Sequence, residues 1–158
     1  MPLETTRFGA IDVKPEDVIT FTQPILGFQE YRRFVLLPGP ESSTVSWLQS
    51  TESGELAFIL MDPRLVAPDY QIELSQHELA ELAVTKISEL DVYTLVVVPQ
   101  DHTQIRTNLR APILISPKHR LGKQTILEQT DYPIQFYLAP AQRGEGQPQE
   151  VSDACVDA

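Results

Sequence analysis

The chain is poor in the residues that staple or metallate a small fold. Its 158 residues include one cysteine, Cys155, in the polar end of the sequence, so no intramolecular disulfide can form. The three histidines, His77, His102 and His119, lie far apart, with no i,i+4 pair and none beside the cysteine. Metal-ligand spacing is absent, and each histidine reads as a surface residue. Basic residues are scarce too: 12 Lys and Arg stand against 22 Asp and Glu, a formal charge of −10. Such a field repels phosphate backbones and anionic lipid heads, which argues against direct binding to nucleic acid or membrane, and it favours encounter with a basic protein. No stretch approaches about 18 consecutive apolar residues. Met1–Ala10 shows no basic run followed by an apolar one, so the expectation is a cytoplasmic protein.

Catalytic signatures are missing as well: no G-x-S-x-G elbow, no Gly-rich phosphate loop, no H-E-x-x-H and no Cys/His nucleophile pair. Carboxylates are plentiful, and Glu16-Asp17 or the pair Asp62 and Asp69 offers in principle an acid and a base. Yet Asp62-Pro63 and Pro68-Asp69 are turn sequences, in which the aspartate bonds to backbone two residues on. The expectation is no enzyme and no cofactor; hydrolysis by Asp62 and Asp69 rests on spacing alone.

What is present is a β pattern. Length fits one domain with a real core, and 42% hydrophobic with 22% charged residues is ordinary globular usage. Short apolar runs rich in Val, Ile, Thr and Phe, punctuated by Pro, Gly and Asp, predict strands at Thr5–Phe8, Ala10–Val13, Val18–Phe21, Arg33–Leu37, Val45–Gln49, Leu56–Met61, Tyr70–Leu74, Val92–Val98, Ile113–Ser116 and Gln124–Leu127. Tyr93–Val98 is apolar almost throughout and predicts a strand buried on both faces. Around Gly9 the mixed run Thr5–Val13 suggests a bend with one wet face. One helix is predicted after Ser75, where S-x-x-E through Glu78 is a capping box and Leu79, Leu82 and Ala83 share a face. It would plug a barrel end or cover a sheet edge. The only basic concentration, Lys118–Lys123, lacks interleaved aromatics and predicts a hairpin turn with Gly122 at positive φ and solvated charges around it. Residues 1–140 therefore read as one mainly β, open barrel-like domain with one short helix, and 141–158 as a disordered polar tail.

Four ordered segments carry a resemblance: Thr6-Arg7-Phe8-Gly9; Ile19-Thr20-Phe21 leading to Gly27-Phe28; Trp47-Leu48-Gln49-Ser50; and Thr107-Asn108-Leu109-Arg110-Ala111-Pro112-Ile113. With Ala57-Phe58, Asp62-Pro63, Asp69-Tyr70 and Gln124 between and after them, the chain resembles the FliW family of flagellar assembly factors over nearly all of its length before the tail. Two positions depart from that pattern, Pro24 for the usual glycine and Ser116 for the usual asparagine. The resemblance implies an open β-barrel-like, non-enzymatic protein that binds two partners in mutual exclusion. These are flagellin and the translational regulator CsrA, whose repression of flagellin translation the free factor lifts. Partner-binding candidates are Asn108 and Gln124, whose amides both donate and accept, joined by Asp62, Tyr70 and Leu109. Trp47, Phe8, Phe21 and Phe28 are expected in the core, since large aromatics contribute most by burial. The competing readings are a small-molecule-binding β-barrel and a flagellin-only chaperone.

Overall fold

A computed structural model of the chain describes residues 2–39, 45–128 and 130–138. In chain order its elements are β1 (Pro2–Thr5), β2 (Gly9–Asp12), β3 (Ile19–Gln23), β4 (Arg33–Pro38), β5 (Val45–Ser50), β6 (Ala57–Met61), α1 (Gln76–Glu81), β7 (Asp91–Val97), β8 (Arg106–Thr107), β9 (Ile113–Ser116), β10 (Leu121–Gln124) and β11 (Phe136–Tyr137). β1 and β2 pair only with each other. The remaining strands run in the order β11-β8-β7-β6-β5-β4-β3-β10-β9, and β9 pairs again with β7 through Tyr93↔Ile113, Val92↔Leu114 and Asp91↔Ile115. Seven strands thus form a barrel, antiparallel except where β10 runs parallel to β3. The mainly β, barrel-like fold with one short helix is as the sequence predicts.

Alternation along the strands fills the barrel. Ile19 and Phe21 of β3, Phe34 of β4, Leu48 of β5, Phe58 and Leu60 of β6, and Ile113 and Ile115 of β9 form one buried cluster. The rings of Phe21 and Phe34 meet edge to face at 5.2 Å, and Phe58 takes the edge of Phe28 at 5.0 Å. Each such side chain contributes about 1.5–3 kcal/mol on burial. A small-molecule-binding barrel needs an empty interior, and this interior is occupied by side chains. Leu114, between Ile113 and Ile115, faces the other way and packs with Leu79, Leu82, Val84 and Leu90, so α1 lies against the outside of the barrel. The predicted capping box is formed: Ser75 Oγ accepts from the Glu78 amide at 3.1 Å, and Glu78 Oε1 accepts from the Ser75 amide at 3.4 Å.

Several expectations need correction. Residues 6–8 form a turn instead of extending a strand, because Thr5 Oγ1 accepts from the Phe8 amide and donates to the Gly9 carbonyl, with Gly9 at φ +68°. Tyr70–Leu74 forms no strand and pairs with none among the described residues. The last hairpin is shifted: β10 is Leu121–Gln124, its turn is closed by the Arg120 amide donating to the Ser116 carbonyl at 2.8 Å, and Arg120, not Gly122, carries positive φ, +55°. Gly122 sits inside the strand, where an added Cβ would stand 2.8 Å from the Phe21 ring. Lys123 is buried instead of solvated. β7 is mostly half-buried, with Thr94 alone fully buried. Of the four aromatics expected in the core only Phe21 is fully buried; Phe8, Phe28 and Trp47 are half-buried. The tail assigned to 141–158, with Cys155, lies outside the described residues.

Candidate functional site

The loop between β8 and β9 organises the candidate residues. Asn108 folds it: Oδ1 accepts from the amides of Arg110 at 2.9 Å and Ala111 at 3.1 Å, the local bonding that asparagine offers a turn. Leu109 is thereby turned inward to 1% exposure, packed with Tyr70 and Leu127. Tyr70, itself buried, donates its hydroxyl to the Leu109 carbonyl at 2.6 Å and lays its ring 4.5 Å from that of Tyr132. Burial, with Tyr132 close by, pushes the Tyr70 phenol well above the ordinary tyrosine range. Arg110 fastens the same loop to the segment before β11, its Nε donating to the Tyr132 carbonyl at 2.9 Å.

Gln124, at the end of β10, bridges two loops. Its Oε1 accepts from the Leu26 amide at 2.9 Å and its Nε2 donates to the Ala111 carbonyl at 3.1 Å. Four of the five candidates, Tyr70, Asn108, Leu109 and Gln124, therefore meet at residues 108–112. Asp62 stands outside that bonded group, capping the short helical turn Pro63–Leu65 by accepting from the Arg64 amide at 2.9 Å. It shares with Tyr70, Arg64 and Ile72 the lining of a pocket of about 140 Å³. Asp69 lies in a turn closed by the Tyr70 amide donating to the Ala67 carbonyl.

The surface around this knot holds what sequence reasoning missed. Leu26 and Ile126 are 60% and 50% exposed, one on a loop bonded to Gln124 and the other two residues beyond it. Next to Ile126 a groove of about 560 Å³ opens between residues 71–73 and 125–128, with Ile72, Leu127 and Tyr132 in its walls and Glu73, Glu78 and Glu128 around it. No sequence motif marks these residues; the acidic composition was the one available signal.

Comparison with known proteins bears on most of the chain. The family model described as "FliW protein" matches residues 2–138. The chain belongs to the FliW family. Curated FliW relatives named flagellar assembly factors include one from Ruminiclostridium cellulolyticum, 38% identical over 87% of this chain and 94% of its own. Another, from Desulfitobacterium hafniense, is 35% identical over 94% of this chain and 98% of its own. A crystal structure of the flagellar assembly factor FliW superposes with a TM-score of 0.80 at 34% identity, covering 89% of this chain and 98% of that one.

The segments that carry the FliW resemblance have structural work visible in the fold. Gln49, fully buried, donates Nε2 toward the carbonyls of Ser50 and Leu56 at 3.0 and 3.1 Å, and Ser50 Oγ accepts from the amides of Glu52 and Ser53, which together shape the β5–β6 turn. Gly27, at φ +89°, completes a turn in which the Phe28 amide donates to the Ile25 carbonyl at 2.8 Å, and Pro24 precedes that turn without disturbing it. Ser116 is buried and its Oγ accepts from the His119 amide at 3.3 Å. Arg7 lies 4.7 Å over the Trp47 ring, which also meets Phe8 edge-on at 5.6 Å.

Proposed function

We propose that this chain is a non-enzymatic flagellar assembly factor of the cytoplasm that binds the translational regulator CsrA and flagellin in mutual exclusion. In this reading, flagellin that has not been exported occupies the protein and leaves CsrA free to repress flagellin translation; after export the protein captures CsrA and lifts that repression. Membership of the FliW family supports the assembly role. The observation that carries the binding role is the surface at Gln124, whose side chain holds the amide of exposed Leu26 and near which exposed Ile126 lines an acidic groove. Large exposed apolar side chains beside charge of one sign are the composition of a protein-binding face, and a chain of charge −10 steers toward a basic RNA-binding protein while repelling its RNA. Asn108 and Gln124 act here as residues that fix the shape of that face, Tyr70 and Leu109 support it from beneath, and Asp62 borders it.

Titration calorimetry against CsrA at low and moderate salt, then with flagellin already bound, tests the reading. Binding that weakens with salt and disappears in the presence of flagellin is the expected result. Flagellin binding without any CsrA binding would replace it with a flagellin-only chaperone.

A further inference from the structure

We infer that the groove between residues 71–73 and 125–128 is a slot for an extended basic segment of a partner protein, which adds as a strand to the backbone edge at Ile126. This deepens the partner-binding reading above and rests on it for the existence of a partner.

Beyond β10 alternate residues keep the bonding pattern of an extended chain. The amides of Thr125 and Leu127 donate to the carbonyls of Pro112 and Arg110 at 3.1 and 2.8 Å, so these two residues direct their backbone groups toward the 108–112 loop. In an extended chain the intervening residue directs its N–H and C=O the opposite way, here toward the groove. The Ile126 backbone makes no hydrogen bond among the described residues. Across the groove, the backbone of Ile72, Glu73 and Leu74 is also unbonded, and the neighbouring Gln71 amide is held only by the Tyr132 hydroxyl at 2.8 Å. Two segments thus face each other across the groove with no ladder between them among the described residues. An unpaired edge of this kind is what strand-adding peptides use: main-chain bonds supply affinity and alternate side chains supply selectivity.

Charge names the occupant. Glu73 and Glu128 line the groove without an ion pair or hydrogen bond among the described residues, while Glu78 is engaged by Thr125 Oγ1 at 2.7 Å and lies 3.6 Å from Lys123 Nζ. No Lys or Arg among the described residues lines it. Ile126 and Glu128, two residues apart, lie on one face of the segment, so an added strand would present there an apolar side chain and, two residues on, a lysine or arginine, with Ile72 and Glu73 on the facing wall of the groove. The chain's own C-terminal residues do not fit this chemistry, since 139–158 carry Glu145, Glu150, Asp153 and Asp157 against Arg143. A second copy of a chain of charge −10 is repelled for the same reason.

The test uses the full chain, with no CsrA or flagellin, and an N-terminally acetylated peptide repeating Lys-Lys-Val-Val, which places a basic and an apolar side chain in turn along each face of a strand, so failure of the slot is separable from failure of the partner reading. Expected are binding by calorimetry, slowed hydrogen exchange at the Ile126 amide, and weakening by about tenfold or more when alternate peptide nitrogens are methylated or when the chain carries Glu73→Lys with Glu128→Lys. Both glutamates are exposed, and unchanged near-UV circular dichroism of the double variant establishes that it folds. Three results overturn the inference: no binding; binding indifferent to backbone methylation, which assigns the groove to side-chain recognition; or Ile126 protection that rises with protein concentration alone, which assigns it to a second copy.

Discussion

Lys123 Nζ stands 2.6 Å from Glu81 Oε1, an ion pair that joins strand β10 to helix α1 across 42 residues of sequence. The lysine is 7% exposed and the glutamate 21%, so the contact is shielded without being dry, and Gln23 Nε2 donates to the other Glu81 oxygen at 3.2 Å. α1 has fewer than two turns, too short to persist alone. Its place against the barrel depends on Leu79 and Leu82 beneath and this clamp at its end.

Lys123→Met should therefore lower stability by about 2 kcal/mol, because it leaves Glu78 and Glu81 side by side without their cation. The Lys123 hydrogen bond holds the Glu81 carboxyl below the ordinary glutamate range against the opposing effect of burial, and Gln23 adds to it. A depressed folded pKa contributes stability that is present above the unfolded value, near 4.5, and is lost as pH falls through the folded value. Urea midpoints of the parent protein should decline as pH drops below that value, and Glu81→Gln should show a lower plateau with a shallower acid decline.

Gly54 marks a second dependence. An added Cβ would stand 1.9 Å from the Glu4 carbonyl oxygen, and the Gly54 carbonyl accepts from the Thr6 amide at 3.0 Å, so the β5–β6 turn is the dock for the separate β1–β2 hairpin. Gly54→Ala should displace that hairpin while leaving the barrel folded. The checks are accelerated hydrogen exchange confined to residues 2–12 and a change in Trp47 fluorescence as Arg7 and Phe8 leave its ring. Gly9→Asn is the contrast: its Cβ meets nothing within 4 Å and asparagine tolerates positive φ, so the change should cost about 1 kcal/mol or less.

The difference between these local and remote features explains what is legible in the sequence. The capping box of Ser75 and Glu78 and the strand Ile113–Ser116 come from neighbours in the chain, and both stand where the pattern puts them. Gly122 misleads because glycine ordinarily signals a turn, whereas here the approach of Phe21, distant in sequence, requires it inside a strand. Lys123 reads as solvated for want of any local sign of Glu81. Tyr70–Leu74 has a strand's composition and no partner to pair with. Among the candidate residues, Asn108 and Gln124 are legible as versatile amides, while the exposure of Leu26 and Ile126 is set by how two loops meet at Gln124, which no periodicity encodes.

Asn108 offers a way to separate shape from contact. Its Oδ1 accepts both loop amides, and its Nδ2 has no bond among the described residues. Asn108→Ala should cost about 1–2 kcal/mol by leaving the Arg110 and Ala111 amides unpaired. Asn108→Asp keeps the acceptor and should hold stability within about 0.5 kcal/mol of the parent protein. The aspartate loses the donor but adds a negative charge, so it should weaken partner binding at moderate salt, where that charge is screened, measured by calorimetry on a chain whose urea midpoint is unchanged.

Tyr70 reports on the underside of the same loop. Tyr70→Phe removes the hydroxyl bonded to the Leu109 carbonyl and should cost about 1 kcal/mol, with the ring contact to Tyr132 retained. Because the folded phenol ionises above its ordinary value of 10.0, its stabilising contribution is complete below that value and is lost as pH rises through the folded one. Burial, with Asp91 and Asp62 near it, raises the Tyr93 phenol as well, so phenolate absorbance should show two late tyrosines, Tyr70 the later of them. Tyr70→Phe should remove the later component and leave that of Tyr93, and a late amplitude unchanged from the parent protein would assign the most resistant phenol to another tyrosine.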